Sequence, residues 1–114
     1  MRRDDAYLLD ILLAARQALK FMEGVSRGEF EDNELIQNAV MRPLEIIGTA
    51  SAKLTSTFRK SHPEIPWRET VGMRNRLVHE YFRIDYGAVW DTIHNDLPAL
   101  IELIEPLVPK EDEI

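Results

Sequence analysis

Three features of the sequence predict an all-α protein, an antiparallel bundle of four to five helices. Apolar residues recur with a helical period in long runs, helix-start and helix-stop residues fall at the ends of those runs, and no stretch shows strand alternation, a glycine-rich turn or an internal repeat. With 114 residues, 45% apolar and 30% charged, the expectation is one domain spanning residues 1–114.

The first predicted helix runs from about Asp4 to Glu23, with Asp4 or Asp5 as N-cap and Gly24 near the stop. Leu8, Ile11, Leu12, Ala15, Leu19 and Met22 form its core stripe. Leu9 and Leu13 lie beside that stripe and widen the apolar face beyond what one neighbouring helix covers, which suggests a subunit contact. Residues 24–33 read as a loop or a short helical turn.

A second long helix is predicted from about Asn33 to Leu54. Ile36, Val40, Pro43, Ile47, Ala50 and Leu54 share one line, with Leu35, Ala39 and Ile46 beside it. Because the apolar period continues on both sides of Pro43, a kinked helix is expected rather than two separate ones. Residues 55–65, with Ser61-His62-Pro63, are turn chemistry that excludes a regular helix. A third helix starts with Pro66 in its first turn and is expected to reach about Tyr81. The last begins near Asp85, carries the stripe Tyr86, Trp90, Ile93, Leu97, Leu100, Ile101, Ile104 and Val108, and is bent at Pro98; the tail Lys110–Ile114 should fray.

Absence of cysteine excludes a disulfide framework and thiolate metal ligation. Met1-Arg2-Arg3-Asp4-Asp5 turns acidic at once, and the apolar run behind it is broken by Asp10 and Arg16. That is unlike a signal peptide or a membrane span, so a cytoplasmic protein without membrane contact is expected. A net charge of −6 argues against a general nucleic-acid coat protein. Its distribution is uneven: residues 1–52 carry −3, residues 53–83 carry +4, and residues 84–114 carry −7. The basic segment is either an ordinary solvated face or a local anion site on an acidic body.

The strongest chemistry lies in Met73-Arg74-Asn75-Arg76-Leu77-Val78-His79-Glu80-Tyr81-Phe82. Arginine presents a planar fork of donors suited to phosphate, and histidine trades protons near neutral pH. Together they suggest phosphodiester chemistry without a metal. On a helix, Arg74 falls on a line with Trp67, Val71, Val78 and Tyr81, an apolar and aromatic setting that requires an arginine to be paired, at a rim or at an interface. His79 then lies 140° away around the helix, so the two converge either through the long arginine stem or across a two-fold axis that joins two copies, the preferred reading. Asn75, at i,i+4 from His79, could fix the imidazole tautomer, and Arg76 with Glu80 reads as an exposed i,i+4 ion pair.

The pattern R-x-x-x-x-H-x-Y, carried by Arg74, His79 and Tyr81 with polar Asn75 after the arginine, resembles the HEPN superfamily of helical ribonucleases, and within it the HepT-like toxins. The resemblance extends to Leu44-Glu45-Ile46-Ile47-Gly48, to His62-Pro63-Glu64-Ile65-Pro66-Trp67-Arg68, and to Trp90-Asp91-Thr92 with Asn95-Asp96-Leu97-Pro98. It implies a homodimeric, metal-independent RNA endonuclease without a cofactor, in which Arg74 and His79 of two subunits form a composite site supported by Asn75. It also implies a cognate minimal nucleotidyltransferase as antitoxin, which silences the toxin by transferring AMP to Tyr81, with higher-order assembly of the two an open possibility. Two positions depart from the family's pattern: Arg83 stands where a small residue is usual, and Thr49 where an acidic one is.

RNA supplies its own nucleophile, the 2′-hydroxyl. A histidine that removes its proton and a guanidinium that stabilises the phosphorane therefore suffice for cleavage to a 2′,3′-cyclic phosphate. A zinc-protease reading fails because His79-Glu80 is followed by Arg83 where histidine is needed. His94 with Asp91 offers at most two ligands and reads as a surface hydrogen bond, and His62 before Pro63 as a loop residue. The competing class is a non-catalytic module that presents Arg74 and Tyr81 to a nucleotide or to the nucleotidyltransferase; a proton shuttle at His79 has no use there.

Overall fold

The computed structural model describes residues 3–73, 78–80 and 83–110, with only the backbone described for 78–80. Its first helix, α1 (Arg3–Phe21), ends where Gly24 takes the left-handed conformation at φ +71°. Leu8, Ile11, Leu12, Ala15 and Met22 of the expected stripe are buried, and Leu19 is half-buried. Leu13 is 53% exposed, so the surplus apolar face exists in this chain.

Segment 24–33 holds a full short helix, α2 (Arg27–Asp32), because Ser26 and Glu29 form a reciprocal capping box. Its far end is closed by Gln37, whose buried amide donates to the carbonyls of Phe30 (2.9 Å) and Glu31 (3.0 Å). Phe30 is fully buried and meets the ring of Tyr86 edge-on at 6.0 Å.

Helix α3 (Glu34–Lys53) opens on Asn33, whose side chain accepts from the Ile36 amide, and runs unbroken through a buried Pro43 to a cap at Leu54. It packs along α1, and the pair is antiparallel: Asp4 at the start of α1 accepts from Thr55, just past the end of α3. Asp4 is therefore not the N-cap of its own helix, as the sequence suggested. It binds both the amide (2.9 Å) and the hydroxyl (2.7 Å) of Thr55.

Thr55 in turn caps α4 (Ser56–Ser61), accepting from the Phe58 amide. This helix was not expected: the segment lacks an apolar period, and its stability comes from the two ends. At the C-terminal end, the Trp67 indole donates to the carbonyls of Arg59 (3.1 Å) and His62 (2.9 Å). Helix α5 (Trp67–Val71) then follows Pro66.

The largest correction comes next. The helix predicted to reach Tyr81 does not do so, because Val78–Glu80 is a short strand, β1, paired antiparallel with β2 (Arg83–Ile84). Asp85 then caps α6 (Tyr86–Asp91), accepting from the Ala88 amide at 3.0 Å. A π-helical turn (Thr92–Asp96) leads into α7 (Leu97–Ile104) and a 3₁₀ turn (Glu105–Leu107). The fold is all-α with one minimal hairpin. Arg16 of α1 reaches Glu105 at 2.9 Å, and Ile93, Leu97, Leu100 and Ile104 complete the core against α1. Among the described residues no helix is long and apolar enough to cross a membrane.

Because one threonine both caps α4 and ties it to α1, Thr55→Ala should lower the unfolding free energy by about 1–2 kcal/mol, the range of a lost N-cap. Asp4→Ala should cost less in the Thr55→Ala background than in the parent, because only the bond from the residue-55 amide to the Asp4 carboxylate then remains to be lost. Urea denaturation of the two single variants and the double variant measures the coupling, and fully additive losses would refute the shared contact.

Candidate functional site

The motif hangs between two anchored points. On the entry side, the end of α5 is pressed against α3 at Gly48, where a Cβ would lie 3.2 Å from the Val71 carbonyl oxygen and 3.4 Å from that of Thr70. Thr70 is buried and its hydroxyl donates to the Trp67 carbonyl at 3.0 Å. Met73, the last described residue before the arginine, is 2% exposed. On the exit side, Ile84 packs against the core and Asp85 starts α6.

Between these anchors the structure describes only β1 and β2. Val78 pairs with Ile84, and Glu80 with Arg83, so the register shifts by one residue at His79, a bulge-like irregularity. Such an irregularity bends its strand and recurs beside active sites. Arg74, Asn75 and Tyr81 lie outside the described residues, as do Arg76, Phe82 and the tail 111–114, and His79 is described by its backbone alone.

The helical projection that set His79 140° from Arg74 does not apply, since His79 stands on a strand. For the same reason the i,i+4 spacings of Asn75 to His79 and of Arg76 to Glu80 carry no geometric meaning here. The sequence could not have found the bulge: only Gly72, now the turn after α5, broke an otherwise helical run.

The two departures from the expected pattern are both exposed. Arg83 sits opposite Glu80 in the hairpin, while Thr49 lines a cleft of about 240 Å³ between α1 and α3 with Tyr7, Asp10, Arg42, Glu45 and Lys53. An apolar slot of about 270 Å³ between α5 and α7 borders Met73, but Glu69 and Asp96 on its lining make it a poor seat for phosphate. Neither of the remaining histidines forms a site. The His94 ring stacks on Trp90 at 3.9 Å with Nδ1 2.9 Å from the Trp90 carbonyl oxygen, and His62 caps α4 with Nδ1 3.3 Å from Glu64. Among the described residues no group of three His, Asp or Glu side chains is placed to hold a metal ion.

A family model, "Ribonuclease HepT-like", matches residues 11–107. The chain belongs to the HepT-like ribonuclease family. A Methanocaldococcus jannaschii protein named "Putative RNase" is 42% identical over 100 residues, covering 88% of this chain and 92% of its own. A Thermococcus cleftensis protein named "Probable ribonuclease HepT" is 41% identical over 101 residues, covering 89% and 92%. A third, from Caldanaerobacter subterraneus subsp. tengcongensis and also named "Putative RNase", is 35% identical over 111 residues, covering 97% and 99%. No solved structure matches the chain. Membership makes this HepT-like chain an RNA-cleaving enzyme, and it bears out the resemblance read from Arg74, His79 and Tyr81.

Among the described residues, Gly48 bears on the motif through the approach of α5. Gly48→Val should drive that helix off α3, destabilise the protein by about 1–3 kcal/mol as overpacking does, and reduce RNA cleavage at temperatures where the helical signal is still native. Thermal melts paired with an RNA-cleavage assay check both effects; a variant with parent melting and parent activity would refute the close contact.

Proposed function

We propose that this protein is the toxin of a two-component toxin–antitoxin module of the type VII kind, a metal-independent endoribonuclease that acts through Arg74 and His79. Family membership supports the reaction class, and the observation that carries the residue assignment is the intact Arg74-x-x-x-x-His79-x-Tyr81 motif with its histidine on the bulge of an anchored hairpin. In this reading His79 takes the proton of the RNA 2′-hydroxyl, which attacks the adjacent phosphorus while the 5′-oxygen leaves. Arg74 stabilises the charge gathered on the phosphorane, and Asn75 orients the imidazole or a phosphate oxygen.

The site is composite, with Arg74 of one subunit facing His79 of the other in a homodimer. Support for an interface comes from α1, where Leu13 is 53% exposed beside half-buried Leu9. The antitoxin is a minimal nucleotidyltransferase that transfers AMP from ATP to the Tyr81 phenol with release of pyrophosphate. Tyr81 is two positions past His79 in the sequence, so an added phosphate would compete with RNA for the same cation. The protein works in the cytoplasm, where RNA and ATP are both at hand.

Arg74→Ala and His79→Ala should each lower RNA cleavage by about 10²-fold or more while leaving the melting temperature within a few degrees of the parent, and EDTA should have no effect on the parent. Mixing the two inactive variants should restore part of the activity, because one of the two sites in a mixed dimer then holds both residues. Parent-rate cleavage by either variant ends the assignment, and no recovery on mixing places both residues in one subunit.

Protein co-expressed with its nucleotidyltransferase should carry AMP on Tyr81 and cleave no RNA, whereas Tyr81→Phe should remain active in the same cells. Peptide mapping by mass spectrometry reads the modification. An inhibited complex with an unmodified Tyr81 would replace adenylylation by occlusion.

A further inference from the structure

We propose that the junction of α4 and α5 is an accessory surface for single-stranded RNA, on which Arg59, Lys60 and Arg68 pair with phosphates beside the rings of Phe58, His62 and Trp67. This rests on the ribonuclease reading only in its choice of RNA as ligand. The first observation is charge without a partner. Arg16 and Arg27 are answered by Glu105 and Glu31 at 2.9 and 3.2 Å, whereas Arg59, Lys60 and Arg68 make no ion pair among the described residues. Lys60 and Arg68 are exposed and Arg59 half-buried. The two acidic neighbours, Glu64 at 3.3 Å from the His62 ring nitrogen and Glu69, oppose three cations and leave the junction with an excess of positive charge.

A helix C-terminus favours cations because its last carbonyls are unmatched. Here the Arg59 and His62 carbonyls already accept from the Trp67 indole, so the side-chain charge remains available to an external anion.

The second observation is aromatic. Phe58 lies 4.5 Å from the His62 ring and 6.2 Å from that of Trp67, and all three are half-buried rather than lost in the core. Cations interleaved with partly exposed rings suit a single strand, whose backbone needs charge and whose unpaired bases need a surface to stack on. A protein partner would use the same charges but has no general need for the rings.

Position adds the third argument. Trp67 is the first residue of α5, whose other end is fixed at Gly48 and leads through buried Met73 to the motif. RNA held at the junction is thereby held on the same support as the reacting residues, which raises the local concentration of a long substrate and leaves the chemistry on a short one unchanged.

The test compares the full-length parent with Lys60→Ala/Arg68→Ala and with the charge-preserving Lys60→Arg/Arg68→Lys. Binding to a labelled single-stranded RNA of about 20 nucleotides is followed by anisotropy across a salt series, and cleavage is followed on that RNA and on a dinucleotide. Loss of two phosphate contacts should flatten the salt dependence by about 1.4 in log–log slope and weaken affinity roughly tenfold at 0.15 M salt. KM for the long RNA should rise with kcat held, dinucleotide cleavage should be unchanged, and the charge-preserving variant should match the parent. An unchanged slope and affinity in the alanine variant overturns the proposal, as does a parent that binds no RNA. Intact RNA binding with lost binding to the nucleotidyltransferase overturns it in favour of a protein-docking role. A parent that binds with the expected slope but cleaves nothing supports the surface while ending the ribonuclease reading.

Discussion

The contact between the last carbonyls of α5 and Gly48 of α3 is the constraint on which the geometry of this protein's motif depends. Glycine inside a helix is about 1 kcal/mol worse than alanine, and α3 carries it where the Val71 carbonyl comes within 3.2 Å of the position a Cβ would take. That approach lets a helix of only five residues, too short to be stable by itself, hold a defined position. Trp67 secures its other end through two hydrogen bonds to α4, and α4 is secured to α1 through Thr55 and Asp4. A chain of local contacts thus runs from the first turn of α1 to the entry of the motif.

The long helices were legible because their chemistry is local. Asn33, Leu54 and Gly24 mark boundaries within a residue or two, and the apolar stripes of α1 and α3 are the buried ones. The short elements were not, because partners distant in sequence stabilise them. Nothing in Ser56–Ser61 announces a helix, since its caps are Thr55, itself bound 51 residues away, and Trp67. The hairpin was hidden for the opposite reason: residues 67–82 satisfy a helical period well enough to mask a strand at Val78–Glu80. Residue types alone therefore named the candidate site, while the stretch Val78–Glu80 that carries His79 was misread as helix.

At Pro98 the hydrogen-bond pattern takes a form that the sequence did not suggest. A bend was expected because proline has no N–H to give the carbonyl four residues back and its ring crowds that carbonyl. The chain meets this with a π-helical turn just before it, in which the Leu97 amide reaches five residues back to Thr92. Ile93, Leu97, Leu100 and Ile104 all remain buried through the irregularity, so the apolar stripe survives where the hydrogen-bond pattern changes. The core, more than the local ladder, decides the path of this segment.

An acidic protein that cleaves RNA needs its charges kept apart. Residues 84–114 carry −7 and residues 53–83 carry +4, in a molecule with extents of 42 × 27 × 20 Å. At physiological salt the screening length is about 8 Å, shorter than every one of those dimensions, so a phosphate at one surface feels the nearest side chains and little of the opposite face. Net charge then bears on solubility and on repulsion of wrongly oriented RNA, and local charge on where RNA settles. Lower salt lengthens the reach of the whole acidic body, so the net charge of −6 weighs more on the approach of RNA as ionic strength falls.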